Sequence, residues 1–206
     1  MTIITGCSKQ SDEAFNSESK LQEINRKAIN SDELSNDPDF IKLVFEMDTF
    51  NNYLKEVISD NTLTLSNVQY SLNELQNKNL SYEVQLNQIN SIFNTPISDR
   101  LVSHMNNFSV ERKTLSNKYN NLNEKVLSDS YIKVKEKEMN VNYASKGWRY
   151  KLCLSVAFAG AVLCHAGCNT TALATTAGLG IPACIALCGI IQVGLSADCY
   201  DNYNKN

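Results

Sequence analysis

Residues 153–199 read CLSVAFAGAVLCHAGCNTTALATTAGLGIPACIALCGIIQVGLSADC, with cysteines at 153, 164, 168, 184, 188 and 199. The cysteine spacing is palindromic. Cys153 with Cys199, Cys164 with Cys188, and Cys168 with Cys184 all share one midpoint, Thr176. Two antiparallel helices folded about that point bring each pair face to face. Within each arm the cysteines are 11 and 4 residues apart, which at about 100° per residue keeps them within roughly 60° on one helix face. The expected arms are Lys151 to Gly167 and Pro182 to Ala197, with Asn169 capping the first and Pro182 in the first turn of the second. Ala157, Gly160, Ala161 and Gly194 are the small residues expected to let the arms approach closely.

Beyond Lys151 at the start of the first, the arms carry no charge. From Leu152 to Ala197 there are 46 residues without Asp, Glu, Lys or Arg, and a helix apolar on every side has to be covered by protein or by lipid. Each arm would be about 25 Å long at 1.5 Å per residue, near the short limit for a bilayer core. Trp148 and Tyr150 stand at the open end beside Tyr200 and Tyr203, with Lys146, Arg149 and Lys151 nearby. Aromatic residues and cations in one layer suit a membrane interface. The competing reading has the same groups closing the end of a soluble core.

The paired motifs Cys164-x3-Cys168 and Cys184-x3-Cys188 resemble those of twin C-x3-C proteins and of small plant antimicrobial hairpins, which join helix pairs by outer-to-outer and inner-to-inner bridges. Those families have polar arms, whereas these are apolar. Zinc held by the four inner thiolates, with His165 as a spare ligand, is the alternative. Cys153 and Cys199 have no use in a zinc site, so three nested disulfides and no metal are expected, in an oxidising compartment. His104 and His165 read as packing or surface residues. Apolar helical segments with several disulfides are also similar in outline to secreted antimicrobial peptides, including the halocin C8-like group of bacteriocins.

At the other end, Ile4-Thr5-Gly6-Cys7 resembles the lipobox of bacterial lipoproteins, which implies lipidation at Cys7. Six residues before Cys7 are too few for a signal peptide, so this reading places the start of translation upstream. Ser8 to Asn36 is polar and reads as a tether, with a short helix around Leu21 to Ile29. The acidic run after Cys7 resembles surface-export tags of some Gram-negative lipoproteins.

Between the ends the chain is helical. Asp37-Pro38 begins a helix, with Asp as N-cap and Pro at the first position. Phe40, Leu43, Met47, Phe50, Leu54 and Val57 follow at alternating spacings of three and four, which puts them on one face. Leu65, Val68, Leu72, Leu75, Asn79, Tyr82, Leu86, Ile89 and Phe93 continue the rhythm. After the Asn94-Thr95-Pro96 break come Leu101, Met105, Phe108, Arg112, Leu115, Tyr119, Leu122 and Val126. Phe93 with Leu101, Ile89 with Met105, Leu86 with Phe108, Leu75 with Tyr119 and Val68 with Val126 share the midpoint 97, so an antiparallel pair of long helices is expected. The run Lys133-Val134-Lys135-Glu136-Lys137-Glu138 reads as a solvated face, and Ser145-Lys146-Gly147 should end the third helix.

The expected fold is all-α: a flexible stretch over 1–36, a coiled-coil-like bundle of three helices over 37–145, and a disulfide-stapled antiparallel hairpin over 146–206. A formal net charge of -3 with scattered Lys and Arg excludes a basic nucleic-acid surface. Paired carboxylates, nucleophile motifs and phosphate-binding glycine loops are absent from the sequence, so neither an enzyme nor a cofactor is expected. The expected role is that of a lipoprotein of the bacterial cell envelope, at the outer membrane or cell surface, whose hairpin acts on membrane lipid. The alternative is a surface interaction protein that meets a protein partner through the bundle, with the hairpin as a cap.

Overall fold

The computed structural model describes residues 27–78, 80–120, 122–138, 146–175 and 181–203, by backbone alone at 27–28, 138 and 169–175. The fold is all-α with a disulfide-linked C-terminal hairpin. In chain order the helices are α1 (Ser31–Leu34), α2 (Pro38–Asp60), α3 (Leu65–Gln76), α4 (Tyr82–Phe93), α5 (Ser98–Lys118), α6 (Glu124–Glu138), α7 (Trp148–Thr175) and α8 (Ile181–Tyr203). Two short strands, β1 (Lys27–Ala28) and β2 (Tyr119–Asn120), pair in parallel.

Helix α2 begins as its sequence requires. Asp37 accepts a hydrogen bond from Asp39 N at 2.8 Å and Pro38 takes the first turn. All six residues of its apolar stripe are buried. The longer stretches that follow are divided. One is interrupted at 77–81, and the other leaves the helix at Tyr119, where β2 pairs with β1. Phe93, Leu101, Ile89 and Met105 do share one apolar core across the turn. That turn is tight: Asn94 adopts a left-handed conformation, and Asn90 Oδ1 accepts hydrogen bonds from Ile97 N and Ser98 N at 2.8 and 2.9 Å. Further from the turn the mirrored register fails. Val68 and Leu75 lie in one core, whereas Tyr119 and Val126 lie against the other. The physical reason is competition: α3 packs on α8, and α6 packs on α7. The expected seam residue Asn79 lies outside the described residues.

Helix α8 is the central element. It contacts α7, α2, α3, α4 and α5, and its buried residues, from Pro182 to Cys199, take up more than half of its circumference. The first core joins α8 to α2, α3 and α4, and the second joins α7 to α2, α5 and α6. The composition break near residue 146 is therefore crossed by both cores.

Several sequence expectations are corrected here. Residues 27–36, read as part of a loose tether, belong to the fold: Leu34 is wholly buried, and Asn30 caps α1 by accepting from Asp32 N and Glu33 N. Lys27–Ala28 is a strand, not the end of a helix, and the rest of that candidate lies outside the described residues. The charged run on α6 is not merely solvated. Lys133 pairs with Asp32 at 2.8 Å, Lys135 is buried against Asp48 at 2.8 Å, and Lys137 donates to Asn36 at 2.8 Å. These contacts tie α6 to α1, α2 and the loop between them. Asn169 does not end the first arm, because α7 continues to Thr175. With 28 and 23 residues, the arms measure about 42 and 35 Å at 1.5 Å per residue.

Close helix approach depends on a glycine the sequence did not single out. A Cβ on Gly189 would lie 2.6 Å from Leu54 Cδ1 and 3.0 Å from Phe50 Cε1, while at Gly160 or Gly194 it would meet nothing within 4 Å. The tight contact is thus between α8 and α2, not between the two arms at those positions. Gly189→Ala should destabilise the fold by about 1–3 kcal/mol through overpacking. Gly194→Ala should be neutral or stabilise by up to ~1 kcal/mol through helix propensity. Paired denaturant titrations would check both, and equal midpoints for the two variants would contradict this packing.

Candidate functional site: the stapled hairpin and its exposed face

The disulfides join Cys153 to Cys199, Cys164 to Cys188 and Cys168 to Cys184, the pairs that the palindrome sets opposite each other. Their Cα separations are 5.7, 5.8 and 5.7 Å, so the arms keep one spacing over the whole stapled length. The inner pairs are adjacent, with Cys168 Sγ 3.6 Å from Cys188 Sγ. Sulfurs bonded in this way are not thiolates and do not serve as the zinc ligands of the alternative reading. Three disulfides are consistent with an extracellular or envelope location.

Two helical stretches, Trp148–Cys168 and Ile181–Tyr203, are long and apolar enough to cross a membrane, with 50% and 56% of their most apolar windows buried inside the protein. Protein therefore covers only part of each arm. On α7, Phe158, Ala159, Ala161 and Val162 face the second core. The opposite edge is open: Trp148, Leu152 and Val156, spaced by one helical turn, are 68%, 44% and 44% exposed, and Leu195 of α8 is 36% exposed. Gly160 is exposed one turn further on. The result is an apolar ridge some three turns long with an indole at its end.

Of the four expected interface aromatics, Trp148, Tyr200 and Tyr203 are exposed, and Tyr150 is half-buried beside Tyr200. Burial, then the neighbouring Tyr200, raises the Tyr150 phenol above its ordinary pKa. The Arg149 guanidinium lies 5.5 Å from the centre of the Trp148 ring, and Lys151 pairs with Glu136 at 2.7 Å. Leu152, Val156 and Leu195 were not distinguished by sequence. In arms apolar all round, no periodic signal separates the covered side from the open one. Cys7 lies outside the described residues.

The two histidines are both in the core, on facing helices. His104 of α5 stacks on Phe50 with ring centres 3.9 Å apart, and His165 of α7 meets it edge-on at 5.2 Å. His104 Nδ1 lies 2.8 Å from Glu46 Oε1, and His165 Nδ1 lies 2.7 Å from Ala161 O. Each Nδ1 is assigned the proton by its acceptor, which leaves both Nε2 atoms buried without a partner. Burial pushes His165 down to about 3, helped by neighbouring His104. Burial also lowers His104, although Glu46 opposes it. Burial alone would raise Glu46, but the His104 hydrogen bond and the Arg100 charge hold its carboxyl below the ordinary range. Two neutral imidazoles between hairpin and bundle hold no catalytic triad, and they make this contact sensitive to acid.

Comparison with known protein families, curated proteins and solved structures finds no match.

Removing the outer bridge by Cys153→Ser with Cys199→Ser should cost about 2–4 kcal/mol, read as a lower thermal midpoint of the oxidised protein. For acid, the sign follows from both histidines having folded pKa values below the unfolded ~6.5. Stability is full above that pH and falls as protons are taken up on unfolding, by up to ~1.4 kcal/mol per pH unit for each histidine. Between about pH 6.5 and 5, above the ordinary titration of carboxylates, His165→Leu should flatten the slope of the denaturation midpoint against pH. An unchanged slope would exclude His165 as a contributor.

Proposed function

We propose that the chain is a non-enzymatic lipoprotein of the bacterial cell envelope whose stapled hairpin is membrane-active in the manner of a bacteriocin. The single observation that carries this reading is the uncovered ridge of Trp148, Leu152 and Val156 with Leu195 beside it. An apolar row of that kind, ending in an indole flanked by Arg149, suits the boundary between acyl chains and headgroups. With its other side held by the bundle, the hairpin engages lipid first by lying in the interface. Crossing the bilayer would require it to leave the bundle.

Lipidation at Cys7 would add a second membrane signal. One acyl chain alone binds only marginally, and a chain plus a second apolar or cationic contact makes stable anchoring. The exposed apolar residues of the bundle give less support to a protein partner. Phe45, Tyr70, Val84 and Val110 each stand on a different helix, α2, α3, α4 and α5.

The sequence has one tryptophan, so Trp148 reports directly on the ridge. On adding phospholipid vesicles to the oxidised protein, its emission should shift to the blue and the protein should float with the lipid. Leu152→Glu with Val156→Glu should abolish both while leaving the helical circular dichroism signal unchanged. Dye release from the vesicles measures bacteriocin-like permeabilisation. Emission that stays at the value for a solvated indole, with no flotation, would sink the membrane reading.

A further inference from the structure

At the open end of the hairpin, α2, α6, α7 and α8 enclose a cleft of about 870 Å³, large enough for a small organic ligand. Asn52, Ser59, Ser196 and the carboxylate of Asp201 also line it, and its other polar groups fall into two sets. The first set is internally satisfied: Lys135 pairs with Asp48 at 2.8 Å, and Tyr131 OH donates to Asp48 at 3.3 Å. The second set is not. Lys55 and Lys146 line the cleft, and neither has a carboxylate within ion-pair distance among the described residues. Lys55 is exposed and open to the cleft, and desolvation by its neighbours lowers its ammonium from the ordinary pKa against the pull of Asp48. Asn51, also in the wall, is buried with its Oδ1 lacking any donor. Gln192 lines the opposite side, is almost fully buried, and makes no side-chain hydrogen bond among the described residues. Ile58, Leu154 and Val193 supply an apolar floor.

We propose that this cleft binds an anionic phosphodiester bearing hydroxyl groups, the chemistry of a glycerol-based phospholipid headgroup. The phosphate lies between the Lys55 and Lys146 ammonium groups, which have no ion-pair partner among the described residues. The hydroxyls supply the donors that a bare anion lacks, to the amides of Asn51 and Gln192. The apolar floor takes the carbon skeleton. Tyr150 and Tyr200 line the same cleft at the end of the hairpin where Trp148 lies, so a headgroup could enter while the ridge rests on lipid. A lipid as the source rests on the membrane reading above, whereas the recognition chemistry does not.

The test uses the oxidised full-length protein and two probes. Calorimetric titration with soluble glycerophosphoglycerol should give saturable one-to-one binding, weakened roughly tenfold or more by Lys55→Gln with Lys146→Gln. Lys113→Gln, which removes an exposed charge outside the cleft, should leave it unchanged. Asn51→Leu should weaken glycerophosphoglycerol while sparing dimethyl phosphate, which has no hydroxyl. Thermal melts confirm that each variant is folded. No saturable binding, or equal loss in Lys113→Gln, overturns the site. Vesicles of phosphatidylcholine, with and without phosphatidylglycerol, then identify the source. A phosphatidylglycerol preference lost in the double lysine variant makes it a lipid headgroup. Soluble binding without binding to either vesicle keeps the site, assigns it a free phosphodiester and removes the membrane reading. Vesicle binding without soluble binding removes the site and keeps the membrane reading.

Discussion

The structure depends on covering α8. A 23-residue helix buried over more than half of its circumference has no charged residue from Ile181 to Ala197 to turn outward, and in water its burial is a strong apolar driving force. Helices α2, α3, α4 and α5 are drawn onto it, and α7 is held alongside it by three disulfides. Gly189 lets α2 come within side-chain contact of the α8 backbone. The bundle is thus less a separate partner of the hairpin than the wrapping of its second arm.

The first arm receives incomplete cover. Its inner side meets Phe40 and Tyr131 through Phe158, with ring centres 6.1 and 4.5 Å apart, and its outer side carries Leu152 and Val156 in the open. This asymmetry turns the choice between bundle and bilayer into a division of labour between two sides of one hairpin. The polar groups inside the interface pull in another direction. His104 and His165 are neutral, each with an orphaned Nε2, and an unmatched buried acceptor costs on the order of 1–3 kcal/mol. The contact between hairpin and bundle therefore includes its own weak point, one that protonation would deepen.

Much of this was legible in the residues. The Asp37-Pro38 start, the buried stripe from Phe40 to Val57 and the turn between Phe93 and Leu101 follow from capping, period and breakers, all of which act within a few residues. What escaped involved choices between equally apolar partners. Leu75 and Val68 fit a seam with Tyr119 and Val126 as well as they fit α8, and only the greater apolar area of α8 decides. The run Lys133 to Glu138 looked solvated because charge is usually outside; Asp32, Asp48 and Asn36 give its lysines fixed partners only once the helices are assembled. Gly160 and Gly194 looked like close-approach positions by composition, whereas Gly189 is one by geometry.

The sequence by itself determined that the chain is helical, that six cysteines pair about Thr176, and that 46 uncharged residues need covering. These are properties of spacing and composition, which local physics reads directly. Only the tertiary structure decided which arm is wrapped, which face of the other stays open, and that Lys55, Lys146, Asn51 and Gln192 meet in one cleft. Arms apolar on every side have no preferred direction of their own, and residues more than a hundred positions apart acquire a common environment only when the helices carrying them are packed.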